Sequence, residues 1–172
     1  MDCELERTVG GDGVLENMLH LPLLRKSDNT LITSVQDAVN VYFEEQMTDA
    51  DFRFECDSCG SRRTPAKGTE ILLKPEVLII HLVRWQHAHA HGALLHHVDP
   101  TQRLILQGSE YKLMSFIDHI GEHADHGHYT ATVRDLSDAE TWWYYNDNFV
   151  GPAGHGKLDD HKLYICFYEL QV

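Results

Sequence analysis

Residues 77–83 read Val77-Leu78-Ile79-Ile80-His81-Leu82-Val83, and this run decides the fold. It is an almost unbroken series of apolar residues, many of them β-branched. That pattern predicts a strand covered on both faces rather than a surface strand of alternating polarity. A strand of this kind needs neighbours on both sides, so we expect it to lie at the centre of a sheet.

The clearest helix lies upstream of this strand. Ser34 can cap its first turn together with Asp37, three residues further on. Five apolar residues then share one helical face: Val35, Ala38, Val39, Tyr42 and Phe43. Glu44, Glu45 and Gln46 are expected to end the helix. An apolar stretch from Leu19 to Leu24 precedes it and predicts a short strand.

Strand patterns dominate the rest of the chain. Residues 52–63 predict a hairpin whose tip is Cys56-Asp57-Ser58-Cys59-Gly60, and the apolar run Glu70–Pro75 predicts a further strand. Five more strands are predicted at Arg103–Leu106, Tyr111–His119, Tyr129–Arg134, Trp142–Asn146 and Leu163–Leu170. One early helix and a mostly antiparallel sheet make an α+β fold, and we see no internal domain boundary in residues 1–172.

Composition excludes several classes of function. The chain has 172 residues and a formal net charge of −13, which disfavours binding to nucleic acid or to an anionic membrane surface. No apolar run approaches the roughly 20 residues that span a bilayer. Four unevenly spaced cysteines do not form a disulfide scaffold, so we expect a reducing compartment, the cytoplasm or the nucleus.

Several blocks in fixed order carry a resemblance to a known family. They are His119-Ile120-Gly121, Gly127-His128-Tyr129-Thr130-Ala131, Trp142–Asp147 and Leu163–Leu170, with Leu78–Trp85 further upstream. In this order they resemble the C-terminal part of the ubiquitin-specific proteases, over about residues 19–171. The resemblance implies a papain-like cysteine protease fold in which residues 1–172 form the fingers and palm. The thumb subdomain, which carries the nucleophile in this family, is expected to be missing.

The resemblance also implies site residues. His128 matches the histidine that takes the proton of a catalytic thiol and later delivers it to the leaving amine, and Asn146 matches the residue that orients this imidazole. Asp147 is a weaker candidate for the orienting role, because alternation along the strand is expected to turn its side chain to the side opposite that of Asn146. Gly127 and Tyr129 are expected to line the channel for the substrate tail, since a side chain at Gly127 would crowd it. Catalysis of this kind needs no cofactor.

No cysteine of the chain matches the nucleophile of the family. Cys166 lies in an apolar strand and is expected to be inert, and Cys3 has no context that would lower its pKa. Two interpretations follow. The chain is part of a deubiquitinase that cleaves isopeptide bonds after the C-terminal glycine of ubiquitin, or it is a catalytically dead module that binds ubiquitin. The expected partners are ubiquitin or ubiquitinated proteins, and a thumb segment.

A third interpretation is a metal-binding protein, because two groups of residues suggest metal binding. Cys56 and Cys59 form half of a zinc ribbon, and a structural zinc site takes four ligands. By resemblance the other pair belongs near the start of the chain, where Cys3 and Glu6 stand. A structural zinc ion is therefore possible, although a site that has lost its metal is favoured. His87, His89 and His91 could together bind zinc or copper, but a histidine-containing loop is the simpler interpretation.

Overall fold

The computed structural model describes residues 15–44, 46–47, 53–56, 59–63, 66–85, 93–154 and 162–171. These residues form one helix, α1, and twelve strands. The elements in chain order are β1 (Leu19–Pro22), α1 (Val35–Phe43), β2 (Gln46–Met47), β3 (Phe54–Glu55), β4 (Arg62–Arg63), β5 (Ala66–Lys67), β6 (Val77–Val83), β7 (Arg103–Leu106), β8 (Ser109–Ile120), β9 (His128–Arg134), β10 (Trp142–Asn146), β11 (Phe149–Pro152) and β12 (Leu163–Leu170).

Eight strands form the main sheet, in the order β1-β6-β12-β8-β9-β10-β11, and β7 pairs with β8 off this path. All of its pairings are antiparallel except that of β1 with β6. Two small two-stranded sheets, β2 with β5 and β3 with β4, are formed by residues between α1 and β6. The predicted mostly antiparallel sheet with one early helix is confirmed, and the parallel pairing of β1 was not predicted.

Strand β6 has a neighbour on each side, β1 and β12, as its sequence predicted, but it is second from the edge of the sheet and not at its centre. Its two faces are covered unequally. Leu78, Ile80 and Leu82 are buried in the core, whereas the residues that alternate with them are half-buried or exposed. We call the face that carries His81 the open face of the sheet. The prediction of burial on both faces therefore holds fully for only one of them.

Helix α1 covers the buried face near β1 and β7. The Ser34 hydroxyl accepts a hydrogen bond from the Asp37 amide at 3.1 Å, so the predicted N-cap is confirmed. The Gln36 side chain donates to the Ile105 carbonyl at 2.9 Å and accepts from the Ile105 amide at 2.8 Å. Both backbone hydrogen-bonding groups of Ile105, in β7, thus have a partner in the helix. The helix ends at Phe43, and no helix in the described part of the chain is long and apolar enough to cross a membrane.

The strand predicted at Glu70–Pro75 is wrong. This segment has no strand partner and follows an irregular path, on which Leu72 and Leu73 are 66% and 82% exposed. Hydrogen bonds to the β7–β8 turn hold this segment in place instead. The Ile71 amide donates to the Gln107 side chain, and the Lys74 ammonium donates to the Gln107 carbonyl. An apolar run without a neighbouring strand to pair with does not form a sheet.

The hairpin predicted around the two cysteines is present as β3 and β4. The Cys56 amide donates to the Ser61 carbonyl at 3.0 Å, and the Gly60 amide donates to the Cys56 carbonyl at 2.7 Å. Gly60 has a φ of 68°, which a glycine adopts without strain. Strand β11 was not predicted, because its four residues include a glycine and a proline that weaken the strand pattern.

A buried arginine follows β6 directly. Arg84 is 1% exposed, and its guanidinium donates to the carbonyls of Leu163 at 2.6 Å, Leu94 at 2.6 Å and His96 at 3.1 Å. Burial lowers the pKa of Arg84 to about 10, which leaves it charged at neutral pH. One cation thus joins the end of β6, the start of β12 and the segment after residue 92.

We expect Arg84→Met to lower the free energy of unfolding by about 2–4 kcal/mol, because buried carbonyls would lose their donors while the volume is kept. The matched control is Arg103→Met. Arg103 is 73% exposed in its ion pair with Glu110, so this change should cost less than about 1 kcal/mol. Urea denaturation of the two variants measures the difference, and equal losses would contradict the structural role assigned to Arg84.

Candidate active site

His128 and Asn146 meet across two neighbouring strands. His128 is the first residue of β9, and Asn146 is the last residue of β10. Their strands are antiparallel, with Tyr144 opposite Thr132 and Tyr145 opposite Ala131. The His128 Nε2 atom lies 2.6 Å from the Asn146 Oδ1 atom, and both side chains are half-buried. Two residues 18 positions apart in sequence are thus in direct contact.

This contact selects one tautomer of the imidazole. The amide oxygen of Asn146 can only accept, so Nε2 of His128 carries the proton and donates it. Nδ1 is then the basic nitrogen, free to take a proton from a neighbouring group. The Asn146 amide nitrogen in turn donates to the Tyr144 hydroxyl at 3.4 Å, which is consistent with this orientation of the amide. The pair is arranged as a general base and its orienting partner.

Gly127 rests on a buried histidine. A Cβ atom built on Gly127 would lie 2.3 Å from the Nε2 atom of His119 and 3.0 Å from the Ile120 carbonyl oxygen. No side chain fits there. From the sequence, Gly127 was expected to leave room for a substrate. In the structure, the group that lies close to Gly127 is the imidazole of His119. His119 is 2% exposed and was not singled out from the sequence.

Four aromatic rings surround the start of β9, and we call Trp85, His119, Tyr129 and Tyr164 the aromatic cluster. The His119 ring centroid lies 4.8 Å from that of Trp85, 4.7 Å from Tyr129 and 5.9 Å from Tyr164. Tyr129 is 51% exposed at the surface of the cluster, so this predicted substrate-binding residue is accessible. The cluster belongs to the open face of the sheet.

Tyr164 enters the cluster because of a β-bulge. In the pairing of β12 with β8, Leu163 lies opposite Asp118 and Ile165 lies opposite Ile117, so Tyr164 is the extra residue. A bulge re-aims side chains and is common beside active sites. Alternation along β12 alone could not have placed Tyr164 beside Tyr129. The sequence signal that could have pointed to it is its position in a block that the family resemblance includes.

Contrary to the prediction from strand alternation, Asp147 does not lie on the strand with Asn146. Asn146 pairs with Phe149, so Asp147 and Asn148 form the two-residue turn between β10 and β11. Asp147 has a φ of 50°, a left-handed conformation that aspartate tolerates in turns. Its side chain is exposed. The arrangement therefore favours Asn146 over Asp147 as the partner of the imidazole.

The described cysteines lie in two separate parts of the fold, the main sheet and the β3–β4 hairpin. Cys166 is fully buried in β12, and burial raises the pKa of its thiol well above the usual range. Cys56 is buried and Cys59 is exposed at the β3–β4 hairpin tip, where Cys59 lies 3.0 Å from the Ser61 hydroxyl. Within the residues that the structure describes, no three His, Cys, Asp or Glu side chains are grouped for a metal ion. Cys3, Glu6, His87, His89 and His91 lie outside the described residues.

Comparison with known proteins gives a consistent match. The family model described as ubiquitin carboxyl-terminal hydrolase matches residues 13–168. Ubiquitin carboxyl-terminal hydrolase 25 of Arabidopsis thaliana is 28% identical over 146 residues, which cover 79% of this chain and 22% of the relative. Human ubiquitin carboxyl-terminal hydrolase 21 is 29% identical over 165 residues, which cover 88% of this chain and 28% of the relative. The chain spans about a quarter of the length of these relatives.

Solved structures resemble this fold closely. The SAGA Ubp8/Sgf11/Sus1/Sgf73 DUB module bound to ubiquitin aldehyde matches with a TM-score of 0.74 and 20% sequence identity, covering 90% of this chain and 36% of the solved chain. A form of the same module bound to monoubiquitin matches with the same TM-score of 0.74 at 21% identity, covering 90% and 35%. These likenesses confirm the predicted papain-like fold class.

We expect the protein to lose stability as the pH falls from about 7.5 to about 5.5. Burial lowers the pKa of His81, His96 and His119 below the usual value of about 6.5, with Arg84 adding to the effect at His119. Below that value the unfolded chain binds more protons than the folded chain, so acid favours unfolding. Urea denaturation at both pH values measures this. The variant His96→Gln can keep the hydrogen bond to the Ile32 carbonyl and should reduce the pH dependence of the stability. A free energy of unfolding that rises on acidification would contradict the prediction.

We also expect Asn146→Ala to change the state of His128. Removal of the amide oxygen leaves Nε2–H without its acceptor, so the imidazole should populate both neutral tautomers. The ¹⁵N chemical shifts of the His128 ring report the tautomer directly. Asn40→Ala, on the exposed side of α1, is the control and should leave these shifts unchanged. Unchanged shifts in Asn146→Ala would show that Asn146 does not orient the histidine.

Proposed function

Because the chain belongs to the ubiquitin carboxyl-terminal hydrolase family, we propose that its described residues form the fingers and palm of a cysteine deubiquitinase. The single observation that carries this proposal is the 2.6 Å contact between His128 Nε2 and Asn146 Oδ1 in a chain of that family. In this proposal His128 is the general base and acid, and Asn146 orients it. Asp147, exposed in the adjoining turn, has at most an indirect role.

The reaction proposed for this site is cleavage of the isopeptide bond after the C-terminal glycine of ubiquitin. The S–H proton of a catalytic cysteine moves to Nδ1 of His128 as the sulfur bonds to the glycine carbonyl carbon. The C–N bond to the lysine amine then breaks, and the amine leaves with the proton from His128. Water hydrolyses the thioester, again by way of Nδ1, which releases ubiquitin and restores the thiol. The chemistry needs no cofactor.

The catalytic thiol in this proposal lies outside the residues that the structure describes. Cys166 is excluded by its burial and its raised pKa. Cys56 and Cys59 belong to the small β3–β4 hairpin, which pairs separately from the sheet that carries His128. A thumb segment that presents a cysteine to Nδ1 of His128 would complete the site.

The open face of the sheet at the start of β9, the strand that His128 begins, suits an extended substrate tail. Tyr129 is 51% exposed there, and the aromatic cluster offers apolar surface around it. Ubiquitin, or a ubiquitinated protein, is the partner we propose, and the net charge of −13 favours a partner with a basic surface. The four unevenly spaced cysteines support the cytoplasm or the nucleus as the place of action.

A second candidate is a module that holds ubiquitin without cleaving it. The observation that favours it is the inert, buried state of Cys166, the one cysteine of the main sheet in the described residues. Both candidates predict ubiquitin binding, and they differ in reactivity. A structural zinc ion at Cys56 and Cys59 remains a separate proposal, which metal analysis of protein purified without a histidine tag would test.

We expect the 172-residue chain to bind ubiquitin, and Tyr129→Ala to weaken this binding about tenfold, because an exposed aromatic anchor typically contributes more than about 1 kcal/mol. Isothermal titration calorimetry measures the affinity. Leu136→Ala is the control, since Leu136 is 98% exposed in the turn after β9 and should not matter. Absence of ubiquitin binding by the unmodified chain would refute both candidates.

A ubiquitin derivative with an electrophile at its C-terminus separates the two candidates further. The chain alone should not react with it, because the described cysteines are buried or remote in the fold. Labelling that disappears in Cys3→Ser would mean that the chain contains its own nucleophile. Labelling that appears only in a longer polypeptide from the same gene, and disappears in His128→Ala, would support the deubiquitinase over the binding module.

A further inference from the structure

The buried His119 has no role in the chemistry described so far. Its ring is 2% exposed, and neither ring nitrogen has a hydrogen-bond partner among the described residues. The backbone amide of His119 donates to the Lys162 carbonyl at 3.0 Å, which attaches β8 to the start of β12. The rings of Trp85 and Tyr129 enclose the imidazole on two sides. The side chain is therefore held tightly without a polar interaction that explains it.

The two ends of one loop close over this ring. The loop runs from Gly121 to Gly127, between β8 and β9. A Cβ atom on Gly121 would lie 3.1 Å from the His119 Cε1 atom and 3.1 Å from the Gly127 Cα atom. A Cβ atom on Gly127 would overlap the ring outright, at 2.3 Å from Nε2 and 2.6 Å from Cε1. The backbone on both sides of the loop thus lies directly on the imidazole.

We propose that His119 is a positioning residue for His128. Its flat ring supports the backbone of Gly127, and this support sets the direction in which the next side chain, His128, leaves the strand towards Asn146. The inference rests on the proposed function, in which His128 is the general base. Without the ring, a glycine has wide freedom in φ and ψ, so the start of β9 would lose its fixed direction.

The surroundings favour the neutral form of this imidazole. Burial lowers the pKa of His119, and the Arg84 guanidinium lowers it further. A neutral ring can lie against Gly127 without drawing water into the loop. Two buried ring nitrogens without partners cost stability that a hydrocarbon side chain would not. A position that is unfavourable for stability in this way is expected where a site constrains the residue.

A compensation experiment on the full chain tests the proposal. The variants are Gly127→Ala, His119→Ala and the double variant, and the readout is the set of ¹⁵N shifts of the His128 ring. Each single change should move these shifts towards those of Asn146→Ala, because the methyl group displaces Gly127 and the missing ring releases it. In the double variant the methyl group fits into the space left by the ring, so at least half of the change should be recovered.

A matched control separates positioning from a loss of stability. Val98 is fully buried in the same core, so Val98→Ala should lower the urea midpoint without moving the His128 shifts. If His119→Ala does not fold, His119→Leu fills a similar volume without a flat face and should shift the His128 signals in the same direction. The proposal is overturned if the single variants leave the His128 shifts unchanged, or if the double variant shows no recovery.

The result of the compensation experiment does not depend on whether the chain binds ubiquitin. A failure of the proposed function appears as an unmodified chain that does not bind ubiquitin, whatever the His119 variants do. A failure of the positioning role appears in the His128 shifts, whatever the affinity for ubiquitin.

Discussion

The hydrogen bonds of buried Arg84 are the interaction on which the rest of the site depends. A guanidinium that is 1% exposed needs hydrogen-bond acceptors within the protein, and here its Nε and Nη1 atoms donate to the backbone carbonyls of Leu163, Leu94 and His96. These carbonyls belong to two segments far apart in sequence. Their common partner fixes the start of β12 against the end of β6. Trp85 and Tyr164, which follow Arg84 and Leu163 directly, are brought into the aromatic cluster by that attachment.

Two departures from regular sheet geometry then complete the cluster. The bulge in β12 makes Tyr164 an extra residue, and the contact of Gly127 with His119 holds the loop before β9 against the sheet. Both features arise from the way two strands are paired, and neither is a property of one strand alone. The half-buried His128 and the exposed Tyr129 follow each other at the start of β9, so strand alternation directs their side chains to opposite faces of the sheet.

The choice of asparagine as the partner of His128 has a chemical consequence. A carboxylate would stabilise the imidazolium by charge, whereas the amide of Asn146 offers a neutral hydrogen bond. Asn146 therefore fixes the tautomer and direction of the ring, but it would stabilise a protonated ring less than a carboxylate would. In return, the amide nitrogen donates to the Tyr144 hydroxyl, which a carboxylate could not do. The orientation of the histidine thus depends on side-chain geometry more than on electrostatics.

The sequence by itself determined the family, the capped helix and most strands, because hydrophobic period, caps and turn residues are local signals. Its limits also have a physical reason. The apolar run Glu70–Pro75 looked like a strand but had no partner, the pairing of β1 with β6 was not foreseen, and Asp147 was assigned to a strand although it turns the chain. His128 and Asn146 could be named from the sequence. Only the tertiary structure decided that they meet, that Tyr164 joins Tyr129, and that His119 supports Gly127, since each contact depends on how neighbouring strands are paired and on their register.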